Sequence, residues 1–148
     1  MFLNKRYAQA STAFLRAGRY REATICDAYL LREKARLTST AASATRARAF
    51  TTAAKAFIAC AQNSPPKQAN ERLAYYRTAG ECYSEARDMK NAGDSYLIAE
   101  QYVAAACAYL EGGYFNKVVE VINKHKKTID SALLERLTTD TAIHYSKV

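Results

Sequence analysis

The residues able to do chemistry are few and scattered. Four cysteines, Cys26, Cys60, Cys82 and Cys107, stand 34, 22 and 25 residues apart. No Cys-x-x-Cys pair occurs, and neither His125 nor His144 lies beside a cysteine, so the sequence lacks the clustered ligands that zinc needs. Each cysteine falls in an apolar helical stretch, where a free thiol packs as a small hydrophobe. Unpaired thiols suit an intracellular compartment, cytoplasmic or nuclear. Glu81 and Glu85 share a helix face at i,i+4, but no Glu-x-x-His segment accompanies them, and they read as a solvated face. Neither a Gly-x-Ser-x-Gly nucleophile elbow nor a Gly-x-x-x-x-Gly-Lys-Ser/Thr phosphate cradle occurs. Lys124-His125-Lys126-Lys127 is a basic run at an expected helix C-terminus, where cations offset the macrodipole. The expectation is a chain that is not an enzyme, with no catalytic residue, metal or cofactor.

Arginine is the residue whose placement is uneven. Residues 1–70 carry 12 Lys/Arg against 3 Asp/Glu, a net of +9, whereas residues 71–148 carry 10 against 11. The candidate basic binding surface is Arg16, Arg19, Arg21, Arg32, Arg36, Arg46 and Arg48. Arg32 and Arg36 share a helix face at i,i+4. Arg46 and Arg48 are two apart, about 200° around a helix, so one of them joins that face. Arg16, Arg19 and Arg21 bracket the first turn and form a second cluster. Residues 41–70 contain no carboxylate, so any neutralisation of Arg46 and Arg48 must come from another element. Such a surface would contact phosphates or an acidic peptide; the plainer alternative is an ordinary solvated helix face. Reversing Arg32, Arg36 and Arg46 to Glu is expected to abolish nucleic-acid binding with little change in melting temperature.

The elements that hold these residues follow from composition and spacing. In 148 residues there are 29 Ala, five Gly and two Pro, so the strongest helix former dominates and the breakers are rare. This is an all-α composition for one domain, 1–148. Its basic N-terminal helices cover 1–61, and short tandem helices cover 67–148. No stretch approaches the roughly 20 apolar residues of a membrane span, and Met1 to Arg6 includes no apolar segment of a secretory signal.

Within the second half a unit recurs every 13 residues: Tyr83-Ala86-Met89-Ala92, Tyr96-Ala99-Tyr102-Ala105 and Tyr109-Gly112-Phe115-Val118. Phe14, Ala17, Tyr20 and Ala23 fit the same template upstream. The unit predicts a helix of about ten residues, roughly 15 Å long, and a tight turn. The aromatic lies near one helix end, the small residue permits the turn, and the next bulky residue opens the following helix. Tyr83, Tyr96 and Tyr109 are therefore expected to be buried, and Tyr96→Ala to cost about 3 kcal/mol.

The pattern gives about eight helices, near 4–17, 20–37, 39–61, 65–86, 90–99, 103–111, 115–126 and 131 onward. Gly18 ends the first. Ser39 or Thr40, Ser64 and Asp130 or Ser131 are the expected N-caps, with Pro65 at a first helical position. Short turns make neighbours antiparallel, and helices apolar on several sides need cover on both sides. The expected architecture is an α-α superhelix, with a globular bundle of six to eight helices as the alternative.

Ala13-Phe14-Leu15-Arg16-Ala17-Gly18-Arg19-Tyr20-Arg21-Glu22-Ala23 resembles the turn between the two helices of a tetratricopeptide repeat, and Asp94 to Ala99 and Glu111 to Val118 are similar. The fold expectation becomes a TPR-like α-α superhelix. A resemblance covering most of the chain is to the C-terminal helical repeat region of fungal UvrD-like, superfamily 1 helicase-like proteins. Ala28 to Ala35, Ala49 to Phe57, Tyr76 to Tyr83, Ala99 to Tyr102 and Val118 to Ile122 carry it. These are packing positions, and the resemblance implies a non-catalytic module without the motor.

The functional expectation is a scaffold for a protein or peptide partner, the usual use of stacked helical repeats. The alternative is a nucleic-acid-binding accessory module. Phe2 and Leu3 at one end, and Leu133, Leu134, Leu137 and Ile143 at the other, predict an apolar solenoid end covered by a second copy or by further repeats.

Overall fold

The computed structural model describes residues 2–38, 42–129 and 131–146. Among them eight α-helices follow one another: α1 (Phe2–Arg16), α2 (Tyr20–Arg36), α3 (Ser43–Gln62), α4 (Ala69–Glu85), α5 (Met89–Ile98), α6 (Tyr102–Gly112), α7 (Phe115–His125) and α8 (Ser131–Ser146). A 3-10 turn, Pro66–Gln68, precedes α4. Each helix packs on the next in the chain, and α8 also reaches α6. This is the all-α arrangement of successive helices that the composition and the short turns predict.

Alanine sets how closely the helices approach. Ala28, Ala35, Ala53, Ala54, Ala79, Ala92, Ala105 and Ala106 are fully buried. A residue without side-chain freedom costs no rotamer entropy on burial, and its small volume lets two backbones come together. Larger groups fill what remains. Phe50, Phe57, Cys82 and Tyr83 belong to a core centred on α2 to α4 that reaches Ala92 and Ala108, and Tyr109, Val118, Val121 and Leu137 to a second core spanning α6 to α8.

The 13-residue unit is a repeated helix-to-helix turn. Arg87 donates its N–H to the Ser84 carbonyl and Asp88 to the Tyr83 carbonyl, at 3.0 and 2.9 Å. Glu100 and Gln101 repeat this with Leu97 and Tyr96, and Gly113 and Tyr114 with Leu110 and Tyr109. Gly18 and Arg19 repeat it with Leu15 and Phe14. These paired bonds are the Schellman arrangement, which satisfies the last carbonyls of a helix and requires a left-handed residue. That residue is Gly18 (φ 74°), Arg87 (64°), Glu100 (60°) and Gly113 (81°). The residue after it has one non-helical conformation in all four turns, at φ −93°, −94°, −97° and −88° with ψ 71°, 77°, 74° and 64° for Arg19, Asp88, Gln101 and Tyr114.

The aromatic of the template supplies the carbonyl that closes the turn, and its ring packs on the preceding helix. The Tyr109 ring lies against Gly93, and the Tyr96 ring against Gly80. Gly80, Gly93 and the fully buried Ala106 share the 13-residue spacing, a part of the unit that the aromatic template omits. The Tyr109 hydroxyl also donates to the Asp94 carboxylate. Burial first, and then Asp94, hold that hydroxyl well above the usual phenol range.

Several local expectations change. Tyr83 and Tyr109 are buried, but Tyr96 is half-buried, with its ring over Gly80 and packed against both cores. Tyr20 is 68% exposed, so the upstream copy keeps the turn without the packing. Cys60 and Cys82 are core residues as expected, whereas Cys107 faces outward. Ser64 donates to the Cys60 carbonyl at 2.8 Å and so closes the end of α3 rather than capping α4. The two prolines open the 3-10 turn, and α4 begins after it. Ser39, Thr40 and Asp130, and the side chains of Phe2, Leu3, Leu133, His144 and Tyr145, lie outside the described residues. Of the other apolar residues near the C-terminus, Leu134 and Leu137 pack on the second core and Ile143 is 45% exposed.

Candidate functional site

α2 carries Arg32 and Arg36 one helical turn apart, α3 carries Arg46 in its second turn, and α4 carries Glu81 and Glu85. Because α3 lies between α2 and α4 in the packing order, these five side chains meet around an open cleft of about 330 Å³. The buried Phe50 and Cys82 also line it and form an apolar base.

Each arginine of the cleft is held in place. The Arg32 guanidinium lies 5.0 Å from the Tyr29 ring centre and 5.7 Å from that of Phe57. Its nearest carboxylate is Glu33, at 3.9 Å, beyond hydrogen-bond length. Arg36 pairs with the same Glu33 at 2.9 Å. Arg46 pairs with Glu85 at 2.7 Å and lies 5.5 Å from the Phe50 ring centre. Aromatic faces attract guanidinium planes and fix their orientation. The Nε–H groups of Arg32 and Arg46 are buried without a hydrogen-bond partner among the described residues. An unmade buried donor costs about 1–3 kcal/mol. Burial pushes the Cys82 thiol up to about 11, with Arg32 pulling the other way. At neutral pH it is a thiol and not a nucleophile.

The structure brings together part of the proposed basic surface. Arg32, Arg36 and Arg46 meet at the cleft, and Arg48 is exposed on another face of α3, as the 200° offset requires. Of Arg16, Arg19 and Arg21, the last two both act electrostatically on Glu22. Arg16 is exposed; Arg19 pairs with Glu22 at 3.0 Å beside the Phe14 ring. Arg21 crosses to α4, binding Glu71 at 3.1 Å and also Gln68. Five of the seven arginines therefore have a carboxylate partner.

Glu81 and Glu85 are exposed, as the solvated-face reading expects, and they also line the cleft. They sit opposite the arginines. The missing carboxylates in 41–70 were the signal, since Arg46 needed a partner from outside that stretch. The triple charge reversal also changes meaning. A glutamate in place of Arg46 would face Glu85, and one in place of Arg32 would lose its aromatic contacts, so that variant is not neutral for stability.

A second cavity, also of about 330 Å³, is lined by Lys124 and His125 of the Lys124–Lys127 run. The His125 ring stacks on Tyr102 with centres 3.6 Å apart. The His125 carbonyl accepts the N–H groups of Thr128 and Ile129. That segment is occupied with ending α7. Among the described residues, no group of three or more His, Cys, Asp or Glu side chains is placed to hold a metal ion, and no helix is long and apolar enough to cross a membrane. The fold and the cleft define the class: an all-α chain of sequentially packed helices with helical-repeat character. Comparison with protein-family models, with curated proteins and with solved structures finds no match.

Proposed function

We propose that this chain is a non-catalytic, TPR-like helical repeat that serves as a scaffold for a protein or peptide partner. The observation that carries this reading is the internal pairing of the arginines. Five arginines of the basic half lie within 4 Å of a glutamate, Glu22 or Glu33 of that half or Glu71 or Glu85 of the other, which leaves a nearly charge-balanced cleft with an apolar base. A surface built for a phosphate backbone keeps its cations unpaired, because counterion release is the main source of its affinity. Exposed Leu37 (62%) and Ile98 (51%) add apolar contact area of the kind protein partners use. The four free cysteines favour a reducing, intracellular setting.

The alternative is a nucleic-acid-binding accessory of a helicase-like protein. Arg16 and Arg48 support it, being exposed and without an ion pair among the described residues.

The experiment is a displayed-peptide selection on the folded chain, followed by calorimetry of the enriched sequences, beside a salt titration with generic DNA and RNA. The scaffold reading expects saturable peptide binding that changes little with salt. Absence of any enriched peptide, together with nucleic-acid affinity that falls steeply with salt, overturns it in favour of the accessory reading.

A further inference from the structure

We infer that the cleft between α2, α3 and α4 seats one carboxylate side chain of a protein partner, gripped by the guanidinium groups of Arg32 and Arg46, with Glu81 taking a basic residue beside it. The inference rests on the scaffold reading above and adds the chemistry of what is bound.

Arg32 is the centre of the argument. It is fixed by Tyr29 and Phe57 but forms no hydrogen bond among the described residues, and only 20% of its side chain is exposed. A guanidinium carries five N–H donors in a rigid fork matched to an oxyanion. Here the fork is pre-oriented and its hydrogen bonds are unspent. Arg46, which also lines the cleft, gives Glu85 one bond through Nη2. Fixing the receiving groups beforehand lowers the entropy cost of binding.

Free donors and size decide the ligand. Three arginines and two glutamates line the cleft, and Glu33, paired with Arg36, brings the charges into balance, so the free donors of Arg32 and not a net charge favour one anion. One anion is accommodated; a row of phosphates would meet Glu81 and Glu85. A volume of about 330 Å³ admits a side chain and its neighbour, and Phe50 and Cys82 suit the methylene groups leading to a carboxylate. Glu81 has no ion pair among the described residues and faces the same space, which favours a segment with a basic residue next to the acidic one.

The test uses the full chain labelled with ¹⁵N, reading the Nε–H signals of Arg32 and Arg46. The probes are a capped peptide with one glutamate between two lysines, its glutamine counterpart, and a short oligothymidylate. The glutamate peptide is expected to move both signals saturably and to bind about tenfold more tightly than the glutamine peptide. Arg32→Lys, which keeps the charge and loses the fork, is expected to cost about tenfold, with far-UV circular dichroism confirming its fold. Glu81→Gln is expected to weaken the peptide and strengthen the oligothymidylate. Equal binding of the two peptides, an oligothymidylate that binds more tightly than either, or no movement of the arginine signals overturns the inference. If peptides from the displayed selection bind Arg32→Lys as well as the unaltered chain, the scaffold stands and the cleft is not its seat.

Discussion

The two halves of the molecule are held by different means. In α5 to α7, helices of 10 and 11 residues are joined by one turn used again and again, with an aromatic laid on a glycine 16 residues earlier. In α1 to α4, helices of 15 to 20 residues use that turn between α1 and α2, pack on the core around Phe50 and Phe57, and add non-repeating charged contacts between helices. Arg21 reaches Glu71 across 50 residues, and Arg46 reaches Glu85 across 39. The repeat supplies regular geometry but spends its side chains on packing. The irregular half has the longer helix faces, and there the polar groups converge on a cleft.

The largest effect that would test this contrast is at the centre of the repeat. Tyr109→Ala should cost about 4 kcal/mol, the scale of a fully buried aromatic, measured by urea unfolding. Tyr96→Ala should cost about half as much, because its ring is half-buried. Equal losses at both sites would mean that burial does not set the difference between copies.

Next come the glycines beneath those rings. A Cβ at Gly93 would collide with the Tyr109 ring, which is fully buried and cannot retreat. Gly93→Ala should cost about 2 kcal/mol despite its better helix propensity. At Gly80 the added Cβ would stand 2.9 Å from the Tyr96 ring, which has solvent to move into. Gly80→Ala should therefore stay within about 1 kcal/mol. A reversed order would show that the rings are not pinned as described.

The turns offer a gain. Glu100 holds a left-handed conformation that glycine adopts without strain, as Gly113 does one unit later. Glu100→Gly should stabilise the chain by about 1 kcal/mol, seen as a raised thermal midpoint; a loss would mean that Glu100 makes a contact worth more than the strain. The smallest effect belongs to the other half. Arg36→Gln breaks an exposed pair with Glu33 and should change stability by no more than about 0.5 kcal/mol. A larger loss would make the ion pairs a structural support equal to the repeat.

Local information was enough for the helices and for the repeat. Alanine richness, Gly18, and the spacing of Tyr83, Tyr96 and Tyr109 placed the helices and located the turns within a few residues, because helix propensity and turn closure depend on neighbours in the chain. The left-handed residues Arg87, Glu100 and Gly113 lie one position beyond Ala86, Ala99 and Gly112, the small residues to which the spacing assigns the turn, and neither Arg87 nor Glu100 announces it by type. The 41–70 stretch without carboxylates showed that Arg46 needed a distant partner, but not which one.

Only the tertiary structure decided that partner, and with it the site. Glu81 and Glu85 look like solvated residues along their own helix, and they become cleft walls because α3 brings Arg46 beside α4. Arg16, Arg19 and Arg21 look like a cluster in the sequence, and Arg19 and Arg21 take ion-pair partners on different helices. Helix and turn are decided by a few successive residues. Charge pairing depends on distance in space and on the shielding of solvent, and those distances exist only once the helices have packed.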